Sequence, residues 1–131
     1  MKRFSIIVSV VAFLAITGTA IASFQYLMLP YRTAIGYLLR AETAQSPEPL
    51  IYYVNQAKKL LPESGNANLL FPVATTDYQL IQLHLDSIIA KAAETNSLEV
   101  GSEEYISRMY DMHYSIEGLQ RDMLKACFGL C

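Results

Sequence analysis

The side chains best suited to holding a metal ion are two histidines and a glutamate in the second half of the sequence. His113 and Glu117 are four residues apart, so they would share one face of a helix, and His84 could join them from a neighbouring helix. Carboxylate–histidine pairs build di-metal centres in helical bundles, but those centres use two Glu-x-x-His motifs, and this sequence has none. We therefore favour a structural role for His113 and predict no resident metal and no other cofactor.

A second set of side chains has the chemistry that copper(I) selects, namely thioether, imidazole and thiol groups. Its members are Met109, Met112, His113, Met123 and Cys127, with Cys131 nearby. The methionines also follow the apolar stripe of the last predicted helix, where methionine is an ordinary filler of the core. We interpret them as core residues and keep an extracytoplasmic copper-type metal or small-ligand binding or sensor protein as the alternative function.

The two cysteines, Cys127 and Cys131, close the sequence and could form a disulfide if they lie outside the cytoplasm. A spacing of four residues inside a regular helix is unfavourable for this bridge, because the Cα atoms are far apart and the Cβ vectors diverge. Gly129 would let the chain unwind and close a small ring. Free thiols, a metal site and pairing between chains remain open.

No catalytic signature is present. The sequence lacks a nucleophile elbow, a phosphate-binding loop, a dinucleotide fingerprint and a paired-cysteine zinc pattern. An enzyme would therefore need a metal or a residue borrowed from a partner. We expect the protein not to be an enzyme.

Two surfaces are candidates for binding a partner. Tyr110 and Tyr114 are four residues apart on one flank of the last predicted helix, and aromatic residues with few charges are typical of binding faces. The apolar segment that begins Leu69-Leu70-Phe71 cannot be fully exposed without cost. It either completes the core as an extended plug or forms an exposed patch for a partner or the membrane surface, while the tyrosines could also be ordinary residues of the bundle edge.

The N-terminal segment decides the class of the protein. No charged residue lies between Arg3 and Arg32, and residues 4–29 are mostly apolar. A bilayer core about 30 Å thick needs roughly 20 such residues as a helix. Pro30 predicts that this helix ends or kinks there. We predict a single-pass transmembrane anchor that contacts the lipid bilayer through residues 4–29.

The flanking charges predict the orientation of the anchor in the cell membrane. Residues 1–3 carry Lys2 and Arg3, so they should stay in the cytoplasm, and residues 30–131 should form an extracytoplasmic domain. The layout also fits a secretory signal peptide cleaved between Ala22 and Ser23. The apolar character that continues as far as Leu29 favours the uncleaved anchor.

Hydrophobic periodicity predicts the rest of the fold. A short helix should run from Thr33 to about Gln45, and three longer helices should follow it. Their apolar seams are Leu50, Val54, Ala57 and Leu61; then Ile81, Leu85, Ile88 and Ala92; then Tyr105, Met109, Met112, Ile116, Leu119, Met123 and Ala126. The expected fold is all-α, with an N-terminal transmembrane helix followed by a small up-down bundle of three or four helices.

Capping residues mark where these helices should begin. Ser46 precedes two prolines that a first helical turn tolerates, and Ser102 precedes two glutamates. Thr76-Asp77-Tyr78-Gln79 fits a capping box in which Thr76 is the N-cap.

Composition narrows the function. Residues after Arg3 contain eight basic and twelve acidic residues, a net charge of −4 that argues against nucleic acid as a partner. We expect a non-enzymatic, membrane-anchored interaction module that serves as an accessory subunit of a larger membrane protein complex. Its partners would be membrane proteins or further copies of the same chain.

Overall fold

The computed structural model describes residues 2–68 and 71–128, and the described residues form an all-helical bundle. The four helices are α1 (Lys2–Glu42), α2 (Pro47–Leu60), α3 (Tyr78–Thr95) and α4 (Glu103–Phe128). A short 3-10 turn, Ala74–Thr76, precedes α3. The prediction of an all-α bundle after a long apolar helix is confirmed.

Helix α1 does not end at Pro30, so the predicted end of the helix at that residue is wrong. A proline inside a helix removes one backbone N–H and costs about 3 kcal/mol, but only one hydrogen bond, to the carbonyl of Tyr26, is lost. The residues that follow are held in helical form by packing. The buried ones are Tyr31, Ala34, Ile35, Leu38 and Ala41. The predicted short helix from Thr33 is therefore the C-terminal part of α1.

The helices follow an up-down order, and each packs against its neighbours in sequence, with α4 returning to α1. The side-chain amide of Gln82, near the start of α3, donates to the carbonyl of Leu61 at the end of α2 (3.1 Å). At this end the hydroxyl of Tyr31 donates to the carbonyl of Met123 (2.8 Å). We call it the anchor end, because the N-terminal half of α1 leaves the bundle there; the connector 96–102 lies at the opposite, distal end.

The core consists of the predicted seams. Every seam residue of α2, α3 and α4 is buried, from Leu50 to Ala126. In the C-terminal part of α1, by contrast, the apolar residue Leu39 is 51 % exposed. The spacing of apolar residues therefore identified the inner faces of the three later helices without error.

The N-terminal residues of the helices show that one of the three capping predictions is wrong. The N-cap of α3 is Asp77, whose carboxylate accepts from the N–H of Leu80 (3.1 Å). Thr76 is buried and is used by the preceding loop, so its predicted role as N-cap is wrong. Ser102 caps α4 through the N–H of Tyr105 (3.2 Å), as predicted. Ser46 is at the N-cap of α2 but makes no side-chain capping bond.

Candidate functional site

The N-terminal half of α1 is an exposed apolar rod. Among the described residues, α1 is the one helix long and apolar enough to cross a membrane, and none of its most hydrophobic window is buried in the protein. A core helix of a soluble protein would be mostly buried. A signal sequence near the N-terminus, however, can be equally long and apolar. Two of its hydroxyls, of Thr17 and Thr19, donate to carbonyls four residues earlier (2.8 Å each), which lowers their cost in lipid.

At the anchor end, α2 and α3 are connected by a loop whose base is joined by several hydrogen bonds. The side chain of Asn66 accepts from the hydroxyl of Thr76 (2.6 Å) and from the N–H of Asn68 (2.9 Å), and it donates to the carbonyl of Val73 (2.9 Å). The N–H of Ala67 donates to the carbonyl of Thr76 (2.9 Å). These hydrogen bonds therefore tie the two sides of the loop base together.

The described residues beyond this base include two exposed apolar side chains. Phe71 is 73 % exposed and Val73 is 51 % exposed, while the carboxamide of Asn68 accepts from the N–H of Phe71 (3.0 Å). The prediction of a plug that completes the core is therefore wrong for Phe71 and Val73. Leu69 and Leu70 lie outside the described residues.

The loop base lies beside the point where α1 leaves the bundle. A cavity of about 340 Å³ is lined on one side by α1, from Tyr26 to Tyr31, and on the other by the loop base, from Ser64 to Ala67. None of the residues that line it is charged. The exposed side chain of Phe71 is thus carried by a loop that adjoins the end of the predicted span.

Tyr31 joins three elements at the same level. Besides its hydrogen bond to α4, its ring packs edge-on against the ring of Tyr78, with centroids 6.3 Å apart. Burial, and secondarily the neighbouring charge that Tyr78 would carry, raise the pKa of Tyr31, and burial also raises the pKa of Tyr78. The raised pKa values keep both phenols neutral to a more alkaline pH than in an exposed tyrosine.

A stripe of exposed apolar side chains runs along the outer face of α4. Tyr110 and Tyr114 are about two-thirds exposed, and Ile106, one turn earlier, is 59 % exposed. Their spacing of four residues places them near one another on the helix surface. We call Ile106, Tyr110 and Tyr114 the α4 stripe. Ile106 was not predicted as part of this surface, although its spacing of four residues from Tyr110 could have identified it.

Three other tyrosines contact one another where α1 packs against α2. The ring of Tyr53 stacks near that of Tyr37, with centroids 6.5 Å apart, and contacts Tyr52 edge-on at 5.4 Å. The guanidinium of Arg40 lies 5.6 Å from the centre of the Tyr37 ring. This cluster links α1 to α2, which distinguishes it from the solvent-facing α4 stripe.

The structure does not bring the three candidate metal ligands together. His113 has its Nε2 atom 2.8 Å from the carbonyl oxygen of Ala44, and Glu117 accepts from the guanidinium of Arg121 (2.6 Å). His84 is exposed on α3. Within residues 2–68 and 71–128, no three His, Cys, Asp or Glu residues are grouped so that they could hold a metal ion.

The candidate copper ligands include three methionines and two cysteines, and of these the structure describes only the side chains of the methionines. Met109, Met112 and Met123 are buried in the core, as the apolar period of α4 predicted. Cys127 belongs to α4, but its side chain and the whole of Cys131 lie outside what the structure describes, as does the predicted disulfide. The methionines are therefore packing residues.

The two candidate surfaces are at different heights on the bundle. Tyr114 lies nine residues before Met123, so it is roughly 14 Å from the anchor end at about 1.5 Å per helical residue. Phe71, by contrast, belongs to the anchor-end loop. Comparisons of the chain with family models, with curated proteins and with solved structures each find no match.

Proposed function

We propose that this chain is a non-enzymatic, membrane-anchored helical module that serves as an accessory subunit of a larger membrane protein complex. The observation that carries the proposal is that one helix, α1, is exposed and apolar in its first part and buried in the core in its second part. Between Phe4 and Leu29, fourteen large hydrophobic side chains face outward. Moving each out of water contributes about 1.5–3 kcal/mol, which a bilayer supplies and water does not.

The anchor would hold the bundle on the extracytoplasmic side of the cell membrane. Lys2 and Arg3 precede the span and favour a cytoplasmic N-terminus. The residues after the span then form the exported bundle. The non-enzymatic part of the proposal rests on the lack of any catalytic motif in the sequence.

The α4 stripe is the surface that we assign to the partner. Its three side chains are uncharged and more than half exposed, and two of them are tyrosines, a residue type that is enriched among the energetic centres of interfaces. A stripe of this size would form the centre of a contact rather than the whole of it. The partner is a membrane protein with a part outside the bilayer, or a second copy of this chain.

The test is extraction of the full-length protein from its native membrane in a gentle detergent, with intact-mass analysis of every component. We expect stoichiometric partners and a chain that begins at Met1. A chain that begins at Ser23 would instead identify a cleaved signal peptide. A lone monomer in the extract would refute the accessory-subunit role.

Matched variants locate the binding face. The double substitution Tyr110→Ser and Tyr114→Ser should release the partner while leaving the helical content unchanged, because both side chains are exposed. Tyr52→Ser, which alters an exposed tyrosine on α2, should leave the complex intact. Loss of the partner with Tyr52→Ser alone would place the interface elsewhere. Tagged and untagged copies in one membrane distinguish self-association from a different partner.

A further inference from the structure

We propose that the exposed tip of the anchor-end loop, residues 71–73, is a second membrane contact, which inserts the side chains of Phe71 and Val73 into the lipid interface beside the span. The inference rests on the proposed function in one respect, since it requires that α1 cross the bilayer. It goes beyond that function because it gives the loop to the membrane rather than to a protein partner.

The first step is the continuity of α1. The helix runs from Lys2 to Glu42 without an interruption, so no flexible linker separates the predicted span from the bundle. One face of residues 31–42 is packed in the core, and residues 4–29 would be fixed in lipid. The bundle therefore cannot swing away from the membrane, and its anchor end is held at the bilayer surface.

The second step is the position of the loop. Its base shares a cavity with Tyr26 and Pro30, the residues at which the apolar run of α1 ends. The ring of Tyr78, directly after the loop, packs against Tyr31. The loop is thus at the level of the headgroups, where aromatic side chains are favoured.

The third step is the exposure of the tip. The side chain of Asn66 donates to the carbonyl of Val73, and that of Asn68 accepts from the N–H of Phe71, so both ends of the tip are hydrogen-bonded before any contact forms. Phe71 nevertheless contacts little of the protein and is 73 % exposed. A loop tip that is held at both ends and presents an apolar side chain at an interface of lipid and water is favourably placed to bury that side chain in lipid.

The fourth step is charge. Residues 64–76 contain no charged side chain, whereas Glu63 and Asp77 flank them. Insertion would therefore desolvate no ion and would not depend on anionic headgroups. The contact should form in zwitterionic lipid and should not weaken as salt is raised, unlike an electrostatic attachment.

The experiment exploits the absence of tryptophan from this chain, because one introduced tryptophan reports its own surroundings. Three full-length variants are reconstituted in phosphatidylcholine vesicles with and without brominated acyl chains, which quench nearby tryptophan. Phe71→Trp probes the tip, Val100→Trp probes the exposed distal connector, and Phe13→Trp probes the predicted span. We expect blue-shifted, quenched emission for Phe71→Trp and Phe13→Trp, and unquenched, water-like emission for Val100→Trp.

The outcomes separate this inference from the proposed function. If Phe13→Trp is quenched and Phe71→Trp is not, the membrane contact of the loop is overturned while the anchor stands. If Phe13→Trp is itself unquenched, the anchor fails first. Should Phe71→Trp not fold, as judged by circular dichroism, Val73→Trp gives the same test from the neighbouring exposed position, and its lack of quenching would equally overturn the proposal.

Discussion

Replacement of Tyr31 by phenylalanine tests how α1 and α4 are joined at the anchor end. The substitution keeps the ring, and with it the edge contact with Tyr78, but removes the hydroxyl that donates to the carbonyl of Met123 at 2.8 Å. Met123 lies inside α4, which continues to Phe128, so its carbonyl keeps a helical partner. The net loss should therefore be that of one ordinary hydrogen bond, about 1 kcal/mol of the free energy of unfolding.

The same variant should change the response to alkaline pH. The pKa of Tyr31 is raised above the value of about 10 that a tyrosine has in the unfolded chain. The folded state then keeps a proton that the unfolded state releases, so this contribution to stability is complete below pH ~10 and is lost as pH rises beyond it. Tyr31→Phe removes that loss, and the gap in stability between wild type and variant should narrow above pH ~10.

The assay is thermal unfolding of the full-length protein in detergent, monitored by circular dichroism at neutral and at alkaline pH. A loss of 1 kcal/mol should lower the midpoint by roughly 4–8 °C for a cooperative unit of this size. Tyr110→Phe, at an exposed tyrosine of α4, is the matched control and should leave the midpoint at neutral pH unchanged. An unchanged midpoint for Tyr31→Phe at neutral pH, or an unchanged alkaline slope, would refute the reasoning.

Three further predictions concern the bundle and its loop. Ile116→Ala, at a fully buried seam position, should lower the free energy of unfolding in urea by ~2–5 kcal/mol, whereas Ile106→Ala, on the same helix but exposed, should change it by less than ~0.5 kcal/mol. Asp77→Ala should cost about 1 kcal/mol by the same measurement because the N-cap of α3 is lost, and Asp77→Asn should restore most of it. Asn66→Asp, which removes the amide donor that fixes the loop, should make that loop more sensitive to limited chymotrypsin digestion, while Asn96→Asp should not.

The inner faces of α2, α3 and α4 could be predicted from the sequence because burial follows the helical period directly. In α4 the seam from Tyr105 to Ala126 keeps spacings of four and three residues, and all of its positions are buried. Such a pattern needs no knowledge of the neighbouring helices. It predicts which residues are inside, and hence the fold class.

The start of α3 and the course of α1 could not be predicted in this way, because tertiary contacts decide them. Pro30 disfavours a helix locally, yet packing of the residues after it outweighs one missing hydrogen bond. Thr76 and Asp77 are both acceptable caps, and the choice depends on Asn66, which lies ten residues before Thr76 and accepts from its hydroxyl. A capping box is a local pattern and contains no information about that distant partner.

The exposure of Phe71 was unpredictable for a related reason. A short apolar segment between two helices can cover the core or leave it, and its composition is the same in both cases. The distinguishing signal was polar rather than apolar: Asn66 and Asn68 are residues whose side chains bond to nearby backbone groups and so build turns. Their bonds fix the loop base and leave the tip outside the core.

The continuity of α1 also limits what kind of partner can reach the α4 stripe. If α1 spans the bilayer as proposed, its continuity gives the stripe a set height, with Tyr114 roughly 14 Å and Tyr110 roughly 20 Å from the anchor end at about 1.5 Å per residue. A partner made only of membrane helices would meet α1 and the anchor-end loop but not these tyrosines. A partner that contacts these tyrosines would then extend out of the membrane by roughly 14–20 Å, and a second copy of this chain meets that requirement because it carries the same bundle at the same height.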